Sequence, residues 1–193
     1  MKRNLMAIVW IVLAAALIAN AGTITGKVGG ASGISVVYVE APAGKPVTLS
    51  TKHYLMDQRE LQFQPHVLVV PVGATVDFQN SDSVGHNVFW PAISGNKSLG
   101  HNLGTWPQGE KKSFKFDKPG VVPLLCIVHP NMSGYLVVTS TPYAAETDAA
   151  GNYRITDVPD GAYTVTAWHE GSKLQSKQIS VAGDGKADFT LTK

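Results

Sequence analysis

Beyond Gly22 the chain never sustains a helical period; short runs of β-branched and aromatic residues alternate with Gly, Pro, Asn and Asp clusters. Such a sequence closes into β-sandwiches or barrels, because each run is too short to bury a face alone and each punctuation reverses the chain. The runs Thr23–Val28, Ile34–Glu40, Val67–Val70, Thr75–Gln79, Asn87–Trp90 and Lys112–Phe116 are predicted strands, followed by Val121–Ile127 and Gly134–Thr139. Asn152–Ile155, Tyr163–His169, Gln175–Val181 and Ala187–Leu191 continue the pattern. The expected fold class is all-β.

The first residues read as an address rather than as part of the fold. Lys2 and Arg3 precede an apolar run of 14 residues, Met6–Ala19, and Ala19-Asn20-Ala21 supplies small residues at a cleavage point. Residues 1–21 are therefore expected to be a secretory signal, its apolar run short of the ~20 residues that cross a bilayer. The mature protein is placed in the periplasm or outside the cell, with no membrane span. Without Lys2 and Arg3 the 16 basic residues fall to 14, against 14 acidic ones, so the mature chain is formally neutral. Neutrality without a basic cluster larger than Lys111-Lys112 excludes nucleic acid as a partner. The single cysteine, Cys126, excludes a disulfide framework, and in an oxidising compartment it needs burial or an occupant.

Ser140-Thr141-Pro142 divides the mature chain, since Pro142 cannot continue a central strand. Beyond it, Asp148-Ala149-Ala150-Gly151-Asn152 and Pro159-Asp160-Gly161 supply turns, while Tyr153, Ile155, Tyr163 and Val165 alternate inward. This segment resembles the carboxypeptidase regulatory-like, or transthyretin-like, sandwich, a noncatalytic accessory fold. Its residues 142–193 are short for a complete sandwich of that kind. The missing first strands could be supplied by Thr23–Glu40, which would make the domain between an insertion, but the same strands serve equally well as the first strands of that next domain. The boundaries adopted here place residues 22–141 in the preceding domain.

The chemistry concentrates in two segments: His86-Asn87, and Cys126-Ile127-Val128-His129-Pro130-Asn131-Met132. A thiolate, two imidazoles and a thioether are the His₂Cys set with weak axial Met of a blue-copper electron-transfer site. Cys126 closes one predicted strand and Gly134 opens the next, so the loop folds three donors around one point while His86 arrives from another strand. Zinc would accept the Cys and His but gains little from Met132.

Residues 69–138 resemble the cupredoxin (type 1 copper) family, of the amicyanin/plastocyanin-like kind. The resemblance rests on Val72-Gly73-Ala74-Thr75-Val76-Asp77-Phe78, Asn80, Asp82, His86-Asn87, Lys118-Pro119-Gly120 and the ligand loop. With Met56-Asp57-Gln58 and Phe63-Gln64-Pro65-His66-Val67, the arrangement is similar to cupredoxin-domain proteins labelled methylamine utilisation proteins. It implies a Greek-key sandwich over 22–141, with its copper site within 66–139, and one Cu(I)/Cu(II) ion on His86, Cys126, His129 and Met132. It further implies that Asn87 holds the ligand loop by a hydrogen bond.

Singly, a buried Cys, a core Met or a strand-end His is an ordinary structural residue; it is their joint order that points to a metal. His53, His66, His101 and His169 form no His-x-His or His-x-x-x-His pair and are read as structural, with His169 bonded to Glu170. A dinuclear copper centre lacks its second Cys, a multicopper oxidase lacks its His-x-His pairs, and no nucleophile motif is present, so no enzyme is expected. Three strong donors and one weak one leave no position for substrate, which makes single-electron shuttling the expected function. His129 is the expected exit, framed by Ile127, Val128 and Pro130 with Trp90-Pro91 beside them. This apolar patch suits weak, transient docking of a redox protein by a monomer, with little salt dependence. The competing readings are a copper carrier or storage protein and a metal-free structural or interaction protein.

Overall fold

The computed structural model describes residues 21–42 and 47–193. The expected signal segment, apart from Ala21, lies outside the described residues. Among those described, no helix is long and apolar enough to cross a membrane, and one 3₁₀ turn, Lys97–Leu99, is the only helical element.

The described residues form two β-sandwiches. The described residues begin with β1 (Ala21–Gly29) and β2 (Val36–Val39). There follow β3 (His53–Arg59), β4 (Gln62–Gln64), β5 (Val67–Pro71), β6 (Thr75–Asn80) and β7 (His86–Trp90). Next come β8 (His101–Trp106), β9 (Lys111–Lys115), β10 (Gly120–Leu125) and β11 (Ser133–Thr139). The last six are β12 (Ala144–Glu146), β13 (Asn152–Pro159), β14 (Gly161–Trp168), β15 (Gln175–Val181), β16 (Asp184–Lys186) and β17 (Phe189–Thr190).

Strands β3–β11 form the first sandwich, from the sheets β4-β3-β6-β9 and β5-β11-β10-β7-β8. Their facing sides bury Met56, Phe63, Phe78, Trp90, Phe116 and Leu136, and the core continues without a break to Cys126 and Met132. The second sandwich pairs β12-β2-β14-β15 with a sheet in which β1 bonds β13, β16 and β17. Its core is aliphatic and aromatic, including Ile24, Val37, Val39, Ile155, Val165 and Phe189.

The pairing corrects the boundary expected at residue 22. β1 runs antiparallel to β13, with Thr25 opposite Arg154, and β2 lies between β12 and β14. Residues 21–39 thus complete the C-terminal sandwich, and the strands from 53 to 139 are inserted between β2 and β12. The reason is burial: β1 and β2 carry the apolar faces that β13 and β14 need as partners, while the first sandwich closes its own core with β3–β11.

The two units share a third apolar cluster of Val36 and Trp168 from one and Val67 and Val137 from the other. Period-two alternation makes this possible: β2 sends Val37 and Val39 into its own core and Val36 and Tyr38 toward the neighbour, and β11 does the same with Leu136 and Val138 against Tyr135 and Val137. Tyr135 packs on Trp168 at 5.2 Å between ring centres and donates its hydroxyl to Glu170 Oε1 at 3.1 Å. His66 Nε2 meets Glu170 Oε2 at 2.7 Å.

Candidate metal centre

His86 opens β7, and the loop leading to it is built on Asn80, whose side chain is fully buried. Asn80 Oδ1 accepts from the Asp82 amide at 2.9 Å, while its Nδ2 donates to the carbonyls of Val84 at 2.8 Å and Trp106 at 3.1 Å. The loop thereby delivers Asp82 beneath His86, with Oδ2 2.8 Å from Nε2. The same carboxylate accepts the amides of Glu60 at 2.7 Å and Leu61 at 2.9 Å, in the turn between β3 and β4. Both turn residues are left-handed, at φ of 56° and 57°, a conformation that non-glycine residues keep only when their surroundings impose it. Burial pushes the Asp82 carboxyl up, but the Leu61 and Glu60 amides and His86 together carry it below its ordinary range.

An anionic Asp82 on Nε2 places the imidazole proton there and leaves the Nδ1 lone pair free. That lone pair faces the loop after β10. His86 Nδ1 is 4.0 Å from Cys126 Sγ and 3.0 Å from His129 Nδ1, and His129 Nδ1 is 3.9 Å from the same sulfur. All three donor atoms lie within 4.8 Å of one another. A first-row ion takes nitrogen at about 2.0 Å and sulfur at about 2.3 Å, so separations below the ~4.3 Å sum let one ion touch all three. The donor set fits copper.

Cys126 and Met132 are buried, and the Met132 amide closes the loop onto the His129 carbonyl at 2.9 Å. Gly134 then returns the chain so close to β4 that a Cβ would stand 2.8 Å from Phe63 Cβ, which only glycine avoids. His129 reaches partly to solvent between Ile127, 60% exposed, and Val128, 49% exposed. Trp90, expected on this rim, is instead buried in an aromatic stack with Phe78, Phe114 and Phe116, its Nε1 bonded to the Leu99 carbonyl. An indole beside three phenyl rings gains more from the core than from the surface.

Asn87 ties the two ligand segments together. Its amide points at Cys126 Sγ at 3.4 Å, its Oδ1 accepts from the Ile127 amide at 3.4 Å, and its Nδ2 donates to Asn102 Oδ1 and the Gly104 carbonyl, both at 2.9 Å. Sequence reasoning found Asn87 but missed Asp82 as the partner of His86, and Asn102 and Gln58 as partners of Asn87. The i, i+4 spacing of Asp82 and His86 was the available signal; for Asn102 and Gln58 there was none.

The other histidines stand apart from this cluster. His53 lies 3.5 Å from Asp77, His101 packs on Trp90 and Phe114, and His66 meets Glu170. His169 bonds to Glu170 as expected, through that residue's backbone carbonyl at 2.6 Å, and its other ring nitrogen meets the Ser32 carbonyl at 2.9 Å.

Residues 51–139 match the family of copper binding proteins of the plastocyanin/azurin kind, and residues 132–192 match the carboxypeptidase regulatory-like domain. The second match omits β1 and β2, which lie on the far side of the inserted unit. No curated protein matches the chain. Among solved structures, a methionine-to-alanine variant of amicyanin in its Cu(I) form is 25% identical, covering 44% of this chain and 79% of that one, with a TM-score of 0.40. A reduced tryptophan-to-tyrosine variant of amicyanin is 23% identical over 53% of this chain and 97% of its own, with a TM-score of 0.42.

Proposed function

We propose that this cupredoxin with a carboxypeptidase regulatory-like module holds one copper ion on His86, Cys126, His129 and Met132 and passes single electrons between redox proteins. The observation that carries the reading is the convergence of two imidazole nitrogens and one thiol on a single point at the buried end of the first sandwich. Copper, when bound, supplies a one-electron couple.

The chain's own residues set the conditions for that couple. Asp82 fixes the His86 tautomer, and the Asn87 amide directs a donor at the cysteine sulfur. The buried positions of His86, Cys126 and Met132 keep water from the donors, which suppresses exchange of ligands during a redox cycle. Met132, with its soft sulfur, favours copper over zinc. Four protein donors leave nothing open to a substrate, which supports a carrier rather than an enzyme.

His129 is the exit for the electron, because of the imidazoles it alone reaches solvent. Ile127 and Val128 around it offer a small apolar contact suited to brief docking of a redox partner. Formal neutrality of residues 22–193 makes association weakly dependent on salt. The sequence of the N-terminal segment supports work outside the cytoplasm, in the periplasm or beyond, by a protein acting as a monomer.

The test is the visible spectrum after Cu(II) is added to the purified protein and to Cys126→Ser. The expected outcome is an intense thiolate-to-copper charge-transfer band that is absent in the variant. A folded parent that develops no such band defeats the reading.

A further inference from the structure

Gln58, on β3, is a buried polar side chain of the first sandwich that makes a single hydrogen bond. It is fully buried among the apolar residues that line that core, and its Nε2 donates to the Asn87 carbonyl at 3.3 Å. Its Oε1 has no hydrogen-bond partner among the described residues. The opposite amide orientation would set the glutamine oxygen against the Asn87 carbonyl oxygen, two acceptors face to face, so the network fixes the assignment.

A buried acceptor without a donor destabilises the fold, and a methionine of similar shape would carry no such burden. The polar residue therefore contributes something other than packing, and its single bond says where. Asn87 is held from the β8 side through its own amide group, by Asn102 and Gly104, but its backbone carbonyl is held from β3 by Gln58. The amide of the same residue aims at Cys126 Sγ.

We infer that Gln58 is a positioning residue for the copper site: by anchoring the Asn87 carbonyl it keeps the Asn87 amide directed at the cysteine sulfur. This rests on the electron-carrier reading only for its consequence. An N–H bonded to the sulfur stabilises the more electron-rich thiolate of the reduced state, so loosening it lowers the reduction potential.

The experiment compares the parent with Gln58→Met. In the metal-free protein, amide hydrogen exchange is expected to quicken about tenfold at Asn87, the effect of losing one such bond, while core amides such as Val76 and Leu136 keep their rates. The melting temperature stays level or rises, opposite to what a residue needed for packing would give. In the copper-loaded protein the reduction potential shifts downward. Unchanged exchange at Asn87, or an unmoved potential in loaded protein, overturns the inference. Should Gln58→Met not fold, Gln58→Asn, which keeps the donor but loses reach, is read by the same two measurements. If neither protein develops the charge-transfer band, the electron-carrier reading falls, and the exchange rates still decide whether Gln58 positions Asn87.

Discussion

The two sandwiches solve the same packing problem with different tolerance for polar groups. In the second, the buried polar residues are hydroxyls on its margins: the Thr147 hydroxyl accepts the Ser35 amide, and the Thr166 hydroxyl donates to Glu40. In the first, Gln58, Asn80, His86 and Asn87 are all buried, and the apolar core runs into them at the end where Cys126 and Met132 lie. Apolar packing maximises stability, whereas a buried polar network fixes one arrangement of its members at the expense of stability. The second unit is packed as a scaffold, while the first gives up stability to hold one arrangement of polar groups.

The largest break of this comparison is to remove β1 and β2. A chain begun at residue 47 leaves β12, β13, β14, β16 and β17 without their β1 or β2 partners, and residues 144–193 are expected to exchange their amides as an unfolded segment does. The first sandwich keeps its own nine strands and its charge-transfer band. Loss of the band would show instead that the units fold only together.

A point truncation gives the next effect. Ile155→Ala in the second core is expected to cost about 2–5 kcal/mol in chemical denaturation, the range for a buried aliphatic side chain cut to methyl. The reduction potential should not move, since Ile155 belongs to the core opposite the copper unit.

Asp82→Asn reverses the pattern. It weakens two bonds to the strained turn and one to His86, for a loss of about 1.5–3 kcal/mol, and it alters the spectrum because the His86 tautomer is no longer imposed. Asp82 is held below its ordinary value of 3.8. Its stabilisation is therefore complete above that value and disappears as the pH falls through the depressed one. The variant should lack this acid-sensitive component, measurable as a flatter unfolding free energy below about pH 4.

The smallest effect belongs to the junction. The His66 bond holds the Glu170 carboxyl below its ordinary 4.5, against the opposing push of burial and with help from Tyr135. The contact thus stabilises above that value and is lost as acid protonates Glu170. With both side chains about half in water, Glu170→Gln should change stability by less than about 1 kcal/mol. Tyr135 fluorescence and the exchange of β2 amides would register the loosening.

The ligand loop and His86 were legible because their residue types are rare and their order is chemical. Strands with clean alternation, such as Thr75–Asn80 and Ser133–Thr139, were legible for the same reason. β3 was not: its inward positions are Met56 and Gln58, and a glutamine where an apolar residue belongs erases the period-two signal. β8, His-Asn-Leu-Gly-Thr-Trp, reads as a turn because Asn102 and Gly104, the residues that hold Asn87, are turn formers. The site's support was hidden by the very polarity that makes it a support. The membership of β1 and β2 was open between two readings, and the one not adopted holds, since neighbouring strands in sequence usually pair and here they wait for partners over a hundred residues away.

That wait has a meaning during synthesis. The Ser35 amide meets the Thr147 hydroxyl 112 residues later, which at about 5–20 residues per second leaves the first two strands unpaired for on the order of 10 s. The inserted unit gains its last strand, β11, only at Thr139, near the end of that interval. A chain truncated near residue 141 would carry every strand of the inserted unit together with two strands, β1 and β2, whose edges have no partner. The last fifty residues close over β1 and β2, and so report that the inserted unit has already been made.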